Sequence, residues 1–177
     1  MLASAPRSGA SSFLGTHTNK IDAKGRVQAP ADFRRALDLA SFNGFFCFPN
    51  LDTRRLDCGG ADFVEDLKAL IATLDPYSQA REDLEIAMLG EIQPIPFDQN
   101  GRFILTKRLR DHLGEGDQVR FVGRGDTFQI WPTAGAEEAV NAHRERARAA
   151  LRRLRHPGAR AIPSPEDAAA PSGGDGS

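Results

Sequence analysis

Two short stretches of the chain share a spacing that can hold a cation at a fixed point: Asp22-Ala23-Lys24-Gly25-Arg26 and Asp98-Gln99-Asn100-Gly101-Arg102. An aspartate opening a tight turn accepts from backbone N–H groups two residues on, and glycine supplies the positive φ such turns need. The arginine that follows carries a planar guanidinium, suited to a phosphate or to the O6/N7 edge of guanine. Further cations gather near both turns: Lys20, Lys24, Arg34 and Arg35 at the first, Lys107, Arg108 and Arg110 at the second. This clustering points to double-stranded DNA as partner. With such a partner, Arg26 and Arg102 are expected to make the direct contacts and the other cations to neutralise phosphate, which sets affinity and not sequence. Asp22, Gly25, Asp98 and Gly101 are expected to support the turns. The blander alternative, in which each Asp–Arg pair is only a surface ion pair, would contribute little.

Other chemistries find less support. No phosphate-binding glycine loop, dinucleotide fingerprint, zinc-protease motif or nucleophile elbow is spelled anywhere in the chain. From Asp57 to Glu91 nine acidic residues face two basic ones, but they lie on segments whose other face is apolar, as a solvated surface would. His17, His112, His143 and His156 are scattered without metal-ligand spacing. Cys47 falls in the apolar run FFCF and reads as core, while Cys58 in LDCGG reads as loop. The expectation is therefore no enzyme, no metal and no cofactor. From His143 to His156 six arginines face one glutamate, which suits either DNA contact or the solvated last turn of a helix.

The elements that must position the turns emerge from an ungapped internal repeat. Laying Ile21–Leu37 over Phe97–Leu113 matches Asp22 with Asp98, Gly25 with Gly101, Arg26 with Arg102, Arg34 with Arg110 and Leu37 with Leu113. Each copy reads as strand, tight turn, strand, short helix opened by Pro30 or Thr106, then further strand. FFCFP and FQIWP look like corresponding aromatic strands. Between the copies, Asp62 with Glu65 resembles a capping box before a stripe of Phe63, Leu67, Leu70, Ile71 and Leu74. Asp75 and Pro76 are expected to cap a second helix with Tyr77, Ala80, Leu84, Ala87 and Met88 on one face and Gly90 past its end. The reading divides the chain into a tail (1–12), a first repeat (13–60), a helical hairpin (61–90), a second repeat (91–132), a basic helix (133–156) and a second tail (157–177). The fold class is α+β, mainly β.

At 177 residues, 40% hydrophobic and 27% charged, the chain has soluble, globular proportions, with a formal net charge of −1 that hides its segregation. No apolar stretch is long enough to span a bilayer, so no membrane role and a cytoplasmic location are expected. The opening FLGTHTNKIDAKGRVQAPADFR, the second DxxGR and the block VRFVGRGDTFQIW resemble the MraZ family, over nearly everything from Phe13 to Arg155. The resemblance implies two tandem AbrB-like swapped-hairpin units forming an intrachain pseudo-dimer, and a homo-oligomer assembled as a ring. It further implies a nucleoid-associated transcriptional regulator binding short direct repeats upstream of cell-division and cell-wall genes, including its own promoter. An AbrB-fold interaction scaffold or antitoxin-like module is the alternative. Lys24 is replaced by Asn100 in the second copy, so the two halves are expected to contribute unequally.

Overall fold

Short apolar or alternating runs form the strands, and glycine or proline bounds nearly all of them. The computed structural model describes residues 12–154, so the expected tails and the end of the basic helix, Arg155 and His156, lie outside the described residues. The chain divides into two units, Met1–Ala136 and Glu137–Ser177. The first is α+β and mainly β. In order it comprises β1 (Thr16–Lys20), β2 (Arg26–Gln28), α1 (Ala31–Ala36), β3 (Gly44–Pro49), β4 (Leu56–Gly59), α2 (Ala61–Ile71), α3 (Gln79–Ala87), a 3-10 turn (Leu89–Glu91), β5 (Gln93–Pro96), β6 (Arg102–Ile104), α4 (Lys107–Leu113), β7 (Gln118–Gly123) and β8 (Phe128–Pro132). A last helix, α5 (Ala136–Leu151), carries the second unit, and Arg152 and Arg153 fall in a turn beyond its end.

Six strands form an antiparallel sheet in the order β1-β7-β8-β4-β3-β5, and β2 pairs with β6 in a separate two-stranded ribbon. The order has a two-fold pattern. Strand β1 of the first copy pairs with β7 of the second, β5 of the second pairs with β3 of the first, and β4 meets β8 at the centre. This corrects the expected equivalence of FFCFP with FQIWP: β3 corresponds to β7, and β8 to β4. The shared proline and aromatics of the two strands misled, whereas position after the helix decides the match.

Ribbon and sheet share one core. Val27 and Phe103 from the ribbon, Phe33 and Leu109 from the two short helices, and Phe45, Leu56, Phe121, Phe128 and Ile130 from the sheet are all at most 2% exposed. Edge-to-face contacts such as Phe45–Phe103 (5.0 Å) and Phe33–Phe128 (5.3 Å) give these rings favourable quadrupole geometry. A smaller cluster seats α2 and α3 on Phe48, with Phe63 stacked on it at 5.9 Å. Trp131 donates to Gln129, which donates to Asp57, so the buried amide is satisfied.

Several local expectations change. Cys58 is not in a loop: it lies fully buried on β4, directly opposite Cys47 on β3. The apolar run that marked β3 needed a partner strand, and the short LDCG supplies it. Helix α2 starts one residue before Asp62, with Gly60 as its cap and no side-chain cap bond, so Asp62 sits in the first turn where its charge suits the helix dipole. Leu70 is 67% exposed, off the buried stripe of Leu67 and Ile71. Ser78, and not Asp75, caps α3 by accepting from Arg81 N–H, which leaves Tyr77 outside the helix and 98% exposed. Gly90 lies within the 3-10 turn that follows α3 rather than ending the helix.

Candidate nucleic-acid interface

The two turns are built bond for bond alike. In the first, Gly25 N–H donates to Asp22 carbonyl (2.9 Å) and Asp22 N–H to Arg26 carbonyl (2.9 Å). Asp22 Oδ1 accepts from the N–H groups of Lys24 and Arg26, both at 2.9 Å, while Oδ2 accepts from Arg26 Nε at 2.7 Å. In the second, Asp98 Oδ1 accepts from Asn100 and Arg102 N–H at 2.9 Å, and Oδ2 from Arg102 Nε at 2.8 Å. Gly25 and Gly101 take φ of 77° and 72°, where a side chain is strained. The arginine N–H donors hold both aspartate carboxyls below their ordinary 3.8: the backbone N–H first, then the guanidinium, partly offset by desolvation. Each brace uses Nε, the inner guanidinium nitrogen. The terminal pair, which forks onto phosphate or guanine, is not needed for it.

Pairing of β2 with β6 sets the turns side by side. The register opposes Arg26 to Ile104, Val27 to Phe103 and Gln28 to Arg102. Because side chains alternate along a strand, Val27 and Phe103 go to the core, and Arg26, Gln28, Arg102 and Ile104 share the outer face. Gln28 Nε2 donates to the carbonyls of Asn100 (3.0 Å) and Gly101 (3.1 Å), tying the ribbon to the second turn. Each turn also rests on an arginine from the opposite copy. A Cβ on Gly101 would lie 2.5 Å from Arg34 Nη1, and one on Gly25 would lie 3.2 Å from Leu105 carbonyl and 3.5 Å from Arg110 Cζ. Arg34 and Arg110, matched in the repeat, therefore occupy equivalent places beneath exchanged turns.

Comparison with known proteins bears on what such a ribbon serves. A family model described as "MraZ protein, putative antitoxin-like" matches residues 88–153. Proteins named transcriptional regulator MraZ are similar over much more of the chain: that of Beijerinckia indica subsp. indica is 38% identical over 81% of this chain and 85% of its own length. The Azorhizobium caulinodans protein is 41% identical over 81% and 88%, and that of Rickettsia rickettsii 38% identical over 73% and 87%. The chain belongs to the MraZ family.

Within this MraZ-family fold the remaining cations are not alike. Lys20, at the end of edge strand β1, and Lys24, in the first turn, are exposed. Lys107 pairs with Asp111 at 2.6 Å, Arg108 with Glu91 and Arg35 with Asp32, so each already has a carboxylate partner. Arg35 lines an open groove of about 510 Å³ with Leu37, Phe63, Leu67 and Leu70, and neither turn contributes to it. Of the arginine run, Arg144, Arg146 and Arg148 lie exposed on α5, with Arg148 bonded to Glu145 at 2.7 Å. Sequence reasoning missed Gln28 and Ile104 on the ribbon face. Their signal was available in the alternation with Val27 and Phe103, but neither carries a charge. Among the described residues no three His, Cys, Asp or Glu side chains gather as a metal site, and no helix is long and apolar enough to cross a membrane.

Proposed function

We propose that this chain is a sequence-specific DNA-binding transcriptional regulator that presents the β2–β6 ribbon to the major groove. The observation that carries the reading is the register that puts Arg26 and Arg102 on one outer face, each aimed by its own aspartate. A two-stranded ribbon fits the major groove, and guanidinium groups there read guanine. The names of the relatives, all transcriptional regulators, support the same role. In this reading the two copies, 13–60 and 91–132, form an AbrB-like swapped-hairpin pseudo-dimer, with the helical hairpin 61–90 inserted between them. The exchanged pairing of β1 with β7 and of β5 with β3 supports it. Lys20 and Lys24 neutralise phosphate, Arg34 and Arg110 hold the turns, and Arg35, Lys107 and Arg108 give up carboxylate partners when phosphate approaches.

The targets are short direct repeats upstream of cell-division and cell-wall genes, the chain's own promoter included, and the protein works in the nucleoid as a homo-oligomeric ring. Acidic helices and basic turns occupy different segments, so head-to-tail contacts set unlike charges across each interface, and such contacts close into rings. A ring multiplies weak contacts on repeated sites. Native mass measurement giving multiples of the 19.2 kDa chain agrees; a stable monomer contradicts it. The test of the DNA reading is titration against the chain's own upstream DNA with excess nonspecific competitor. Wild type binds, and the folded double variant Arg26→Ala/Arg102→Ala loses at least about tenfold, each guanine contact being worth roughly 1–3 kcal/mol. Equal binding by both proteins rejects the ribbon. The "antitoxin-like" description of the matching family favours a second reading, an interaction scaffold, which moves ahead if wild type binds no DNA.

A further inference from the structure

The ribbon face is symmetric in its arginines and asymmetric between them. The repeat that matches Arg26 with Arg102 also matches Gln28 with Ile104, so one position of the pseudo-two-fold holds an amide and its counterpart an aliphatic group. Gln28 uses its amide nitrogen on the carbonyls of the second turn. Ile104 has no donor with which to make the same bonds to the first turn. It is 58% exposed, on a strand whose next apolar neighbours, Phe103 and Leu105, are almost wholly buried. An isolated exposed aliphatic residue is ordinary on a protein surface, and position is what distinguishes this one. It stands directly across the ribbon from Arg26, a pairing that puts Cβ atoms roughly 5 Å apart. That distance is about one to two base-pair steps along a duplex of roughly 3.4 Å rise.

We propose that Ile104 is a specificity-determining residue that packs on the 5-methyl group of a thymine adjacent to the base pair contacted by Arg26. The inference rests on the DNA-binding reading above. The methyl is the one apolar feature the major groove offers, and aliphatic side chains recognise it by contact. Because the matched position is a glutamine whose amide is engaged with the second turn, the Arg102 side of the ribbon reads no equivalent methyl. A pseudo-symmetric fold thereby acquires a direction, and its preferred site is not palindromic.

The test replaces thymine by deoxyuridine, which keeps the base pair and removes only the methyl. Wild-type protein first selects a duplex from a randomised library in the presence of competitor, and each thymine of that duplex is then replaced in turn. Wild type loses about fourfold in affinity at a thymine next to a guanine, the value of one buried methyl. Ile104→Ala binds the thymine and deoxyuridine duplexes equally, and Ile104→Val retains a preference. The side chain is exposed, so all three proteins keep the same thermal midpoint, checked by circular dichroism. If wild type selects a duplex but is indifferent to every thymine methyl, or if Ile104→Ala keeps the full preference, the inference is overturned alone. If wild type selects no duplex over competitor, the DNA-binding reading fails and takes this inference with it.

Discussion

Asp22 and Asp98 do at the scale of one side chain what a longer loop would need several residues to do. Each carboxylate gathers two backbone N–H groups and one guanidinium N–H, closing the turn and orienting the arginine together. The consequence for pH has a definite sign. Both carboxyls are held below 3.8 in the folded protein, so their contribution is complete above that value and is lost as pH falls through the depressed ones. Denaturant unfolding should therefore show stability flat in these groups from pH 8 to about 5 and declining below about 4. Asp22→Asn/Asp98→Asn should flatten that decline. A double variant with the wild-type acid profile would show that the braces are not formed. At the opposite extreme, burial pushes the Cys58 thiol well above its ordinary 9.0, so it stays protonated and slow to alkylate in the native state at pH 8. Labelling as fast as in denaturant would contradict its place in β4.

At the scale of elements, each turn is held by the other copy's helix. Gly101 has positive φ, and a Cβ there would displace the guanidinium end of Arg34, whereas at Gly25, also of positive φ, the nearest atom is the Leu105 backbone carbonyl at 3.2 Å. Gly101→Ala and Gly25→Ala should each cost about 1–2 kcal/mol from φ alone, and Gly101→Ala should also push the Arg34 guanidinium from its place beneath the second turn. No loss at either glycine in thermal or denaturant unfolding would contradict the positive φ of the two turns. These contacts explain what sequence could and could not disclose. The turns, β2, β6 and the short helices were legible because Asp, Gly and an apolar period of two or three-to-four recur at fixed offsets. The exchange of strands was not legible from such spacing, because the repeat gives which residues correspond and not which copy a strand pairs with. β4 was hidden because LDCG is short and ends in glycine, and it is a strand only because β3 and β8 flank it. Ser78 was hidden because Asp75 and Pro76 imitate a helix start three residues early, where Asp75 instead accepts from Tyr77 N–H.

Across the Met1–Ala136 unit, ribbon, short helices and sheet rest on one aromatic core, so the ribbon has no stability separate from the fold. Phe103 is the clearest case: it lies on β6 between Arg102 and Ile104 and touches the rings of Phe45, Phe97 and Phe121. Phe103→Ala should destabilise the whole unit by about 3–5 kcal/mol in a single cooperative transition. Early loss of the ribbon with the sheet intact would contradict a shared core. Charge is organised at the same scale. A net of −1 conceals a segregation of basic and acidic segments, and the proposed contact with phosphate needs only a local patch and not a basic average.

The proposed contacts of Arg26 and Arg102 with DNA are read at the level of single bases by a dimethyl sulfate footprint on the selected duplex, since the reagent marks guanine N7 in the major groove. Wild-type protein should protect guanines in each bound repeat, with one set exposed again by Arg26→Ala and a different set by Arg102→Ala. Protection of adenine N3 in the minor groove alone, or guanine protection that survives both substitutions in a folded protein, would contradict the ribbon as the reading element.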